Sequence, residues 1–233
     1  MSKAISIANI EARRYSYIPF SDEFRQAFGN REKTGNWIVY GKAGQGKTRF
    51  VLELAKEFDR MGYKVLMASL EMGFCADFQK DLKESGIRSK TQKMVFVDSL
   101  TVKELDDMLG KQRSPDVVIV DSIQYFVNQY DATSEEIINL RKKYRSKIFV
   151  YVSHVEGREV EGKPAYMVKR DSFVRIQVEG FRATYIGRGK GGPIGYYTIW
   201  KEGEEKYWLH NTVNYENNDN ECDERTETSH PQS

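Results

Sequence analysis

The sequence has few of the residues that build disulfides and metal centres, and it has no long apolar segment. Its two cysteines, Cys75 and Cys222, lie far apart with no Cys or His at metal-ligand spacing, so we expect two free thiols. Two of the three histidines, His210 and His230, lie at or beyond the expected end of the folded part, which disfavours a histidine-based metal site.

No apolar run approaches the roughly 18 residues that a membrane-spanning helix needs. Residues 1–6 lead into polar and charged sequence rather than into the apolar stretch of a signal peptide. These absences predict a cytoplasmic protein without a membrane contact.

The composition is that of a globular protein whose charge is unevenly distributed. Hydrophobic residues make up 39% of the chain and charged residues 30%, and 233 residues suffice for one substantial core. Residues 211–233 hold six acidic residues and one arginine, a net charge of −5, so the rest carries +7 of the overall +2. We therefore expect a short lead-in (1–35) with a helix at 22–28, a core (36–210) and an acidic disordered tail (211–233). A basic core is compatible with nucleic-acid binding.

Short apolar runs rich in Val, Ile, Phe and Tyr alternate with helical patterns up to residue 153. This alternation is typical of βαβ units and predicts an α/β fold with a mostly parallel central sheet flanked by helices. The predicted strands are residues 36–40, 64–70, 94–98, 116–121 and 147–153, and the predicted helices are 47–61, 101–110 and 134–144.

After residue 153 the helical patterns end and further strands follow one another. Turn residues such as Glu179-Gly180 and Glu202-Gly203 separate them, as hairpin loops do. We therefore expect a C-terminal antiparallel extension of the sheet. Its predicted strands are residues 172–178, 181–187, 195–200 and 205–209.

A glycine-rich motif follows the first predicted strand and opens the first long helix. In the pattern Gly-x4-Gly-Lys-Thr, glycines allow a tight turn whose N–H groups point at phosphates, and this context predicts a site for ATP. Lys47 is expected to neutralise the β- and γ-phosphates, and the Thr48 hydroxyl to ligate Mg²⁺. The loop consists of Gly41, Lys42, Ala43, Gly44, Gln45, Gly46, Lys47 and Thr48.

Two carboxylates end strands whose carboxyl ends are expected at the same sheet edge. Asp121 closes an apolar strand and can hold the magnesium shell, although an aspartate there could instead cap a helix. Ser122 follows it, so a water-activating carboxylate has to come from another strand. Glu71 after residues 64–70 is the best candidate, the alternative being a surface charge at a strand end.

Four segments together resemble the RecA-type ATPase superfamily, specifically the RadA recombinase and the motor domain of bacterial replicative helicases. They fall in the family's order over residues 35–200. The segments are the phosphate loop, Ser69-Leu70-Glu71-Met72, Val118-Ile119-Val120-Asp121-Ser122, and a stretch from Val152-Ser153-His154-Val155 to Arg188-Gly189-Lys190-Gly191-Gly192-Pro193-Ile194-Gly195.

The resemblance implies further roles and a self-assembled hexameric ring or filament. His154 stands where relatives carry a polar sensor of the γ-phosphate, although a histidine packed in the core is the alternative. Arg188 and Lys190 stand where relatives carry cations that reach the nucleotide of a neighbouring subunit. The order of these two residue types is swapped here, which leaves open which one meets the γ-phosphate.

The resemblance also places two DNA-binding loops, at residues 124–133 and 156–170. The first supplies Tyr125 and Phe126 as stacking faces, unless both are packing residues. The second supplies cations for phosphates, diluted by glutamates. These cations are Arg158, Lys163, Lys169 and Arg170.

The leading hypothesis is therefore an oligomeric, Mg²⁺-dependent ATPase coupled to single-stranded DNA in recombination, repair or replication. A replication or recombination protein is a further possible partner. The alternative is an ATPase switch of the same fold whose partner is a protein rather than DNA, which the short, acid-diluted loops favour. A small-molecule phosphotransferase would need an acceptor pocket and usually a lid, and the sequence has no Arg-rich lid segment.

Overall fold

The computed structural model describes residues 4–89, 94–187 and 195–210. The helices are α1 (Ile7–Glu11), α2 (Asp22–Phe28), α3 (Lys47–Arg60), α4 (Ala76–Glu84), α5 (Val102–Gly110), α6 (Ile123–Asn128), α7 (Ser134–Lys143) and α8 (Lys163–Asp171). The strands are β1 (Gly35–Tyr40), β2 (Val65–Ser69), β3 (Val95–Val97), β4 (Val117–Asp121), β5 (Ile148–Ser153), β6 (Val155–Glu156), β7 (Glu159–Val160), β8 (Val174–Glu179), β9 (Arg182–Tyr185) and β10 (Tyr196–Thr198). Residues 201–210 are also helical.

Eight strands form one sheet in the order β10-β9-β8-β1-β5-β4-β2-β3. The strands from β8 to β3 run parallel, while β9 and β10 are antiparallel to their neighbours. The predicted fold class, a mostly parallel sheet with a C-terminal antiparallel extension, is confirmed. The five strands predicted before residue 153 are all present, with ends that differ by one residue or so.

The core has two layers, one on each face of the sheet, because strands β1, β2, β4 and β5 are buried along their whole length. Helix α3 packs on one face through Phe50, Leu54 and neighbouring residues, together with the aromatic side chains of the lead-in. Helices α5 to α8 cover the other face. In the lead-in, Phe20 packs against Trp37 of β1, with ring centroids 6.2 Å apart.

The strand predicted at residues 205–209 is wrong, because these residues continue a helix. Burial recurs at 203–204 and again, in part, at 207–208, which is the spacing of a helix rather than the alternation of a strand. The Glu204 N–H also donates to the Trp200 carbonyl, as in a first helical turn. In the resulting position the Trp208 indole donates to the Gly180 carbonyl.

The two segments predicted as DNA-binding loops are also more regular than expected. The first is mainly helix α6, and the second is a short hairpin of β6 and β7 followed by helix α8. Gly162 and Pro164 resemble loop punctuation, but they are the N-cap and a first-turn residue of α8, where proline is tolerated. Within the ranges described, no helix is long and apolar enough to cross a membrane.

Candidate nucleotide site

The glycine-rich loop turns between β1 and α3 in a conformation that depends on its glycines. Gly44 and Gly46 adopt positive φ angles of 73° and 95°. A Cβ atom on Gly41 would lie 2.1 Å from the Val178 carbonyl oxygen, so only glycine fits beside β8. The loop therefore lies against the sheet and directs the start of α3 toward the cleft.

Lys47 is the first residue of α3 and is almost fully buried. Its ammonium group donates to the carbonyl oxygen of Lys42 at 2.9 Å. Burial lowers the pKa of Lys47, while the nearby carboxylates of Asp121 and Glu71 act in the opposite direction. A desolvated cation held inside the turn of the loop is well placed to bind an anion.

The next residue, Thr48, contacts the predicted magnesium ligand directly. Its hydroxyl donates to the Asp121 carboxylate at 2.8 Å, and Asp121 is the last residue of β4. Burial raises the pKa of Asp121 to about 6, and the Thr48 hydrogen bond partly offsets that rise. The N-cap of α6 is Ser122, so the Asp121 side chain does not cap that helix. A hydroxyl beside a buried carboxylate is a donor set suited to Mg²⁺.

Glu71 and His154 meet across the cleft, although 83 positions separate them in the chain. The His154 imidazole Nε2 lies 2.9 Å from a Glu71 carboxylate oxygen. This hydrogen bond is the main cause that lowers the pKa of Glu71 and raises the pKa of His154. Both residues closely follow the ends of parallel strands, β2 and β5. The sheet order places those strands on either side of β4.

A cleft of about 400 Å³ collects five residues that were predicted separately: Lys47, Thr48, Glu71, Asp121 and His154. It also exposes residues that the sequence analysis did not single out. These are Arg49, Met72, Asp81, Phe181 and Trp200.

Among these additional residues, Phe181 and Trp200 form an aromatic wall beside the phosphate loop. Their rings meet edge to face with centroids 5.1 Å apart. Phe181 lies close enough to Gly46 that a Cβ atom there would come within 3.1 Å of its ring. Both residues belong to the antiparallel part of the chain, so only its folding back toward the loop places them here. The aromatic residue after the Glu179-Gly180 turn was a sequence signal for this wall.

The candidate DNA-binding residues do not form one exposed set. Phe126 is fully buried in the core, so it cannot stack on a base, and that prediction is wrong. Tyr125 is partly buried against the same core layer. The Lys169 side chain is only 14% exposed, pairs with Glu159 at 2.9 Å and lies over the Tyr40 ring. It is therefore not free to contact a phosphate.

Three of the predicted cations remain exposed. Arg158 lies in the turn of the β6–β7 hairpin, and Lys163 and Arg170 lie on α8. Arg188 and Lys190, and the tail at 211–233, lie outside the described residues.

Comparison with known proteins gives similarity in structure only. No protein-family profile matches the chain, and no curated protein matches it. The crystal structure of flagellar accessory protein FlaH from Methanocaldococcus jannaschii superposes with a TM-score of 0.58 at 15% identity, covering 79% of this chain and 92% of that chain. The ATPase domain of a helicase superposes with a TM-score of 0.51 at 13% identity, covering 71% of this chain and 81% of that chain. The chain therefore has the RecA-like P-loop ATPase fold, as its motifs predicted.

Proposed function

We propose that this chain binds ATP with Mg²⁺ and hydrolyses it in the cleft beside the phosphate loop. The observation that carries the proposal is the 2.8 Å contact of the Thr48 hydroxyl with the buried Asp121 carboxylate, in a cleft that Lys47 and Glu71 also line. A Gly-rich turn without a phosphate would have no need for a buried lysine next to two carboxylates.

Each of these residues has a distinct role in the proposal. Lys47 neutralises the β- and γ-phosphates, and the loop N–H groups bind their oxygens. Thr48 and Asp121 hold the metal ion, which would supply charge stabilisation at the phosphates. Glu71 orients the attacking water and accepts its proton, and its lowered pKa keeps it ionised for that role.

His154 is proposed to respond to the γ-phosphate through its contact with Glu71. The imidazole already lies in the phosphate cleft, and its raised pKa favours the charged form that an anion attracts. Phe181 and Trp200 are proposed to pack against the nucleobase, because aromatic faces next to a phosphate loop suit a flat heterocycle.

The test is nucleotide binding and hydrolysis by purified protein. Lys47→Ala is expected to abolish ATP binding, and Glu71→Gln to bind ATP but lose about 100-fold or more in turnover, in line with general-base catalysis. Lys103→Ala and Glu135→Gln, both at exposed helical positions, are the matched controls. Full turnover in Glu71→Gln would retire Glu71 as the base, and ATP binding by Lys47→Ala would retire the site.

For the partner, single-stranded DNA remains the leading proposal, now with α8 as its contact surface. Lys163, Tyr166, Met167 and Arg170 are all exposed and recur at the spacing of one helix face. Tyr166 is 43% exposed and can stack on a base, while the cations beside it can contact phosphates. Stimulation of ATP hydrolysis by single-stranded DNA at low salt is the measurement, and its absence would remove this partner.

A protein partner is the second candidate, and the composition of the same surface favours it. Met167 and the neighbouring Phe173 are exposed, whereas Phe126 and Lys169 are unavailable to a nucleic acid. FlaH is a flagellar accessory protein, which offers a precedent for this fold in an accessory role. A pull-down that recovers the same protein after nuclease treatment, and loses it with Met167→Asp, would support this candidate.

The proposal of an oligomer depends on Arg188 and Lys190 acting on a neighbouring subunit's nucleotide. Arg188→Ala and Lys190→Ala are expected to bind ATP normally and to lose cooperative hydrolysis, since a cation acting in trans stabilises the transition state rather than the bound nucleotide. Native mass measured alongside turnover tests this. A wild-type protein that hydrolyses ATP at the same specific rate as a monomer would contradict it.

A further inference from the structure

We propose that Gln124 is a positioning residue that couples the nucleotide cleft to the β6–β7 hairpin. The proposal rests on the proposed ATP site, since nucleotide is the signal to be coupled. Gln124 lies in the first turn of α6, three positions after Asp121, and no motif in the sequence assigns it a role.

The hairpin at residues 155–160 is a separate structural unit. Its two strands pair only with each other, as Val155 with Val160 and Glu156 with Glu159, and form their own two-stranded sheet. The Glu161 N–H donates to the His154 carbonyl at 3.0 Å and closes the base of the hairpin. The hairpin therefore begins directly after His154, the residue that contacts Glu71.

The Gln124 amide holds both ends of this hairpin. Its oxygen accepts the His154 N–H at 3.3 Å, and its nitrogen donates to the Glu161 carbonyl at 2.9 Å and to the Ser153 hydroxyl at 2.9 Å. An amide side chain offers two donors and one carbonyl oxygen, and all three groups are engaged here. The Ser153 hydroxyl in turn donates to the His154 carbonyl at 2.9 Å.

These contacts make Gln124 the junction of three parts of the cleft. The His154 side chain bonds Glu71, while its main chain bonds Gln124. Any displacement of His154 relative to Glu71 must therefore strain or shift the Gln124 amide, and with it the Glu161 end of the hairpin. Because Gln124 belongs to α6, which begins two residues after Asp121, α6 is joined to the same network.

The hairpin has one other polar anchor of note, the ion pair between Glu159 and Lys169 of α8. That pair ties the hairpin to the helix whose exposed face carries Lys163 and Tyr166. The network therefore runs from Glu71 through His154 and Gln124 to the hairpin and then to α8. A contiguous chain of hydrogen bonds of this kind can carry coupling between a nucleotide and a partner surface.

The experiment measures amide hydrogen exchange at residues 155–160 with and without a non-hydrolysable ATP analogue and Mg²⁺, together with the nucleotide Kd. The variant is Gln124→Met, which keeps the length of the side chain and removes its hydrogen bonds. Gln129→Met, at the exposed C-cap of the same helix, is the matched control. Gln124→Glu, which keeps an acceptor for the His154 N–H and loses both donors, is a second variant should the methionine variant fail to fold.

In the wild type and in Gln129→Met, the analogue is expected to change hairpin exchange. In Gln124→Met, nucleotide should bind within about threefold of wild type, but hairpin exchange should be about fivefold faster and no longer respond to nucleotide, because the hydrogen bonds at its base are lost. A merely structural glutamine would change the exchange rate without removing the nucleotide response.

Two results would overturn the proposal: a hairpin response to nucleotide that survives in both Gln124 variants, or a wild-type hairpin that does not respond while nucleotide binds. If the wild type binds no nucleotide at all, the Kd measurement reports the failure of the proposed ATP site itself, and the coupling role falls with it.

Discussion

The nucleotide cleft and the partner-facing segments of this protein are built in different ways. The cleft residues stand at the ends of buried parallel strands, as Glu71 does after β2, Asp121 on β4 and His154 after β5. The partner-facing segments, residues 123–133 and 155–171, are short helices and a hairpin whose side chains are partly buried and partly exposed. In the first region the backbone of the sheet dictates position, whereas in the second the packing of each helix decides which side chains are accessible.

The strongest way to break this comparison is Asp121→Asn, which tests whether function rather than stability requires the buried carboxylate. ATP hydrolysis is expected to fall about 100-fold or more, because a negative metal ligand becomes neutral at a preorganised site. Asp107→Asn on α5, at an exposed position, is the control.

The same substitution is expected to raise the free energy of unfolding at neutral pH. The pKa of the Asp121 carboxyl rises from 3.8 to about 6 on folding, so its ionisation disfavours the folded state above pH 3.8 and does so fully above about pH 6. The gain should be about 2 to 3 kcal/mol near pH 8 and vanish below the unfolded pKa. Urea unfolding across that range is the measurement. A loss of stability at neutral pH would show that the carboxylate is a structural group.

The aromatic wall tests whether the cleft extends beyond the sequence motifs. Trp200→Ala is expected to weaken ATP binding about 5- to 10-fold with little change in turnover at saturation, as expected for the loss of one aromatic contact. Trp200→Phe should retain most of the affinity. Equal affinity in all three proteins would place the nucleobase elsewhere and restrict the cleft to its motif residues.

The exposed cations of α8 test the partner-facing region in isolation. Lys163→Ala and Arg170→Ala are each expected to weaken single-stranded DNA binding a few-fold and to lower the salt dependence by about 0.7 per lost phosphate contact. ATP affinity should be unchanged, because neither residue lines the nucleotide cleft. Lys142→Ala, exposed on α7, is the control. DNA binding that is insensitive to both substitutions would favour a protein partner.

The smallest expected effect concerns the contact that joins the two regions. In nucleotide-free protein the Glu71–His154 pair is partly exposed and should stabilise the fold by about 0.5 kcal/mol. The pKa of His154 is raised from 6.5, so this stability is fully present below that value and is lost as the pH rises through the raised pKa. Glu71 has its pKa lowered from 4.5, so on the acid side the stability persists until the pH falls through that lowered pKa.

The measurement is the difference in unfolding free energy between wild type and His154→Gln across this range. A plateau at mildly acidic pH and a decline toward alkaline pH are expected. A difference that does not change with pH would mean that His154 supports the fold only by packing.

The cleft could be predicted residue by residue because its chemistry is tied to strand ends. A buried apolar run such as residues 117–120 can be recognised from composition, and the residue that follows it has to lie at the carboxyl edge of a parallel sheet. The contact of Thr48 with Asp121 follows from that rule. The contact of Glu71 with His154 required in addition the strand order, which places β4 between β2 and β5.

The partner-facing residues could not be predicted to the same depth. Tyr125 and Phe126 are neighbours with similar side chains, yet the second lies wholly in the core, because successive helical residues point about 100° apart. Gly162 and Pro164 suggested a loop, but they start a helix. Residues 205–209 suggested a strand, but they belong to a helix, whose buried positions recur at helical rather than alternating spacing.

The sequence by itself determined the phosphate loop, the parallel α/β fold and the identity of the carboxylates at the strand ends, because each depends on local pattern and on the shared direction of parallel strands. Only the tertiary structure decided that Phe181 and Trp200 wall the cleft, that Phe126 is buried and that Gln124 holds both ends of the hairpin. These features depend on contacts between residues far apart in the chain, whose geometry follows from how helices and strands pack rather than from any local motif.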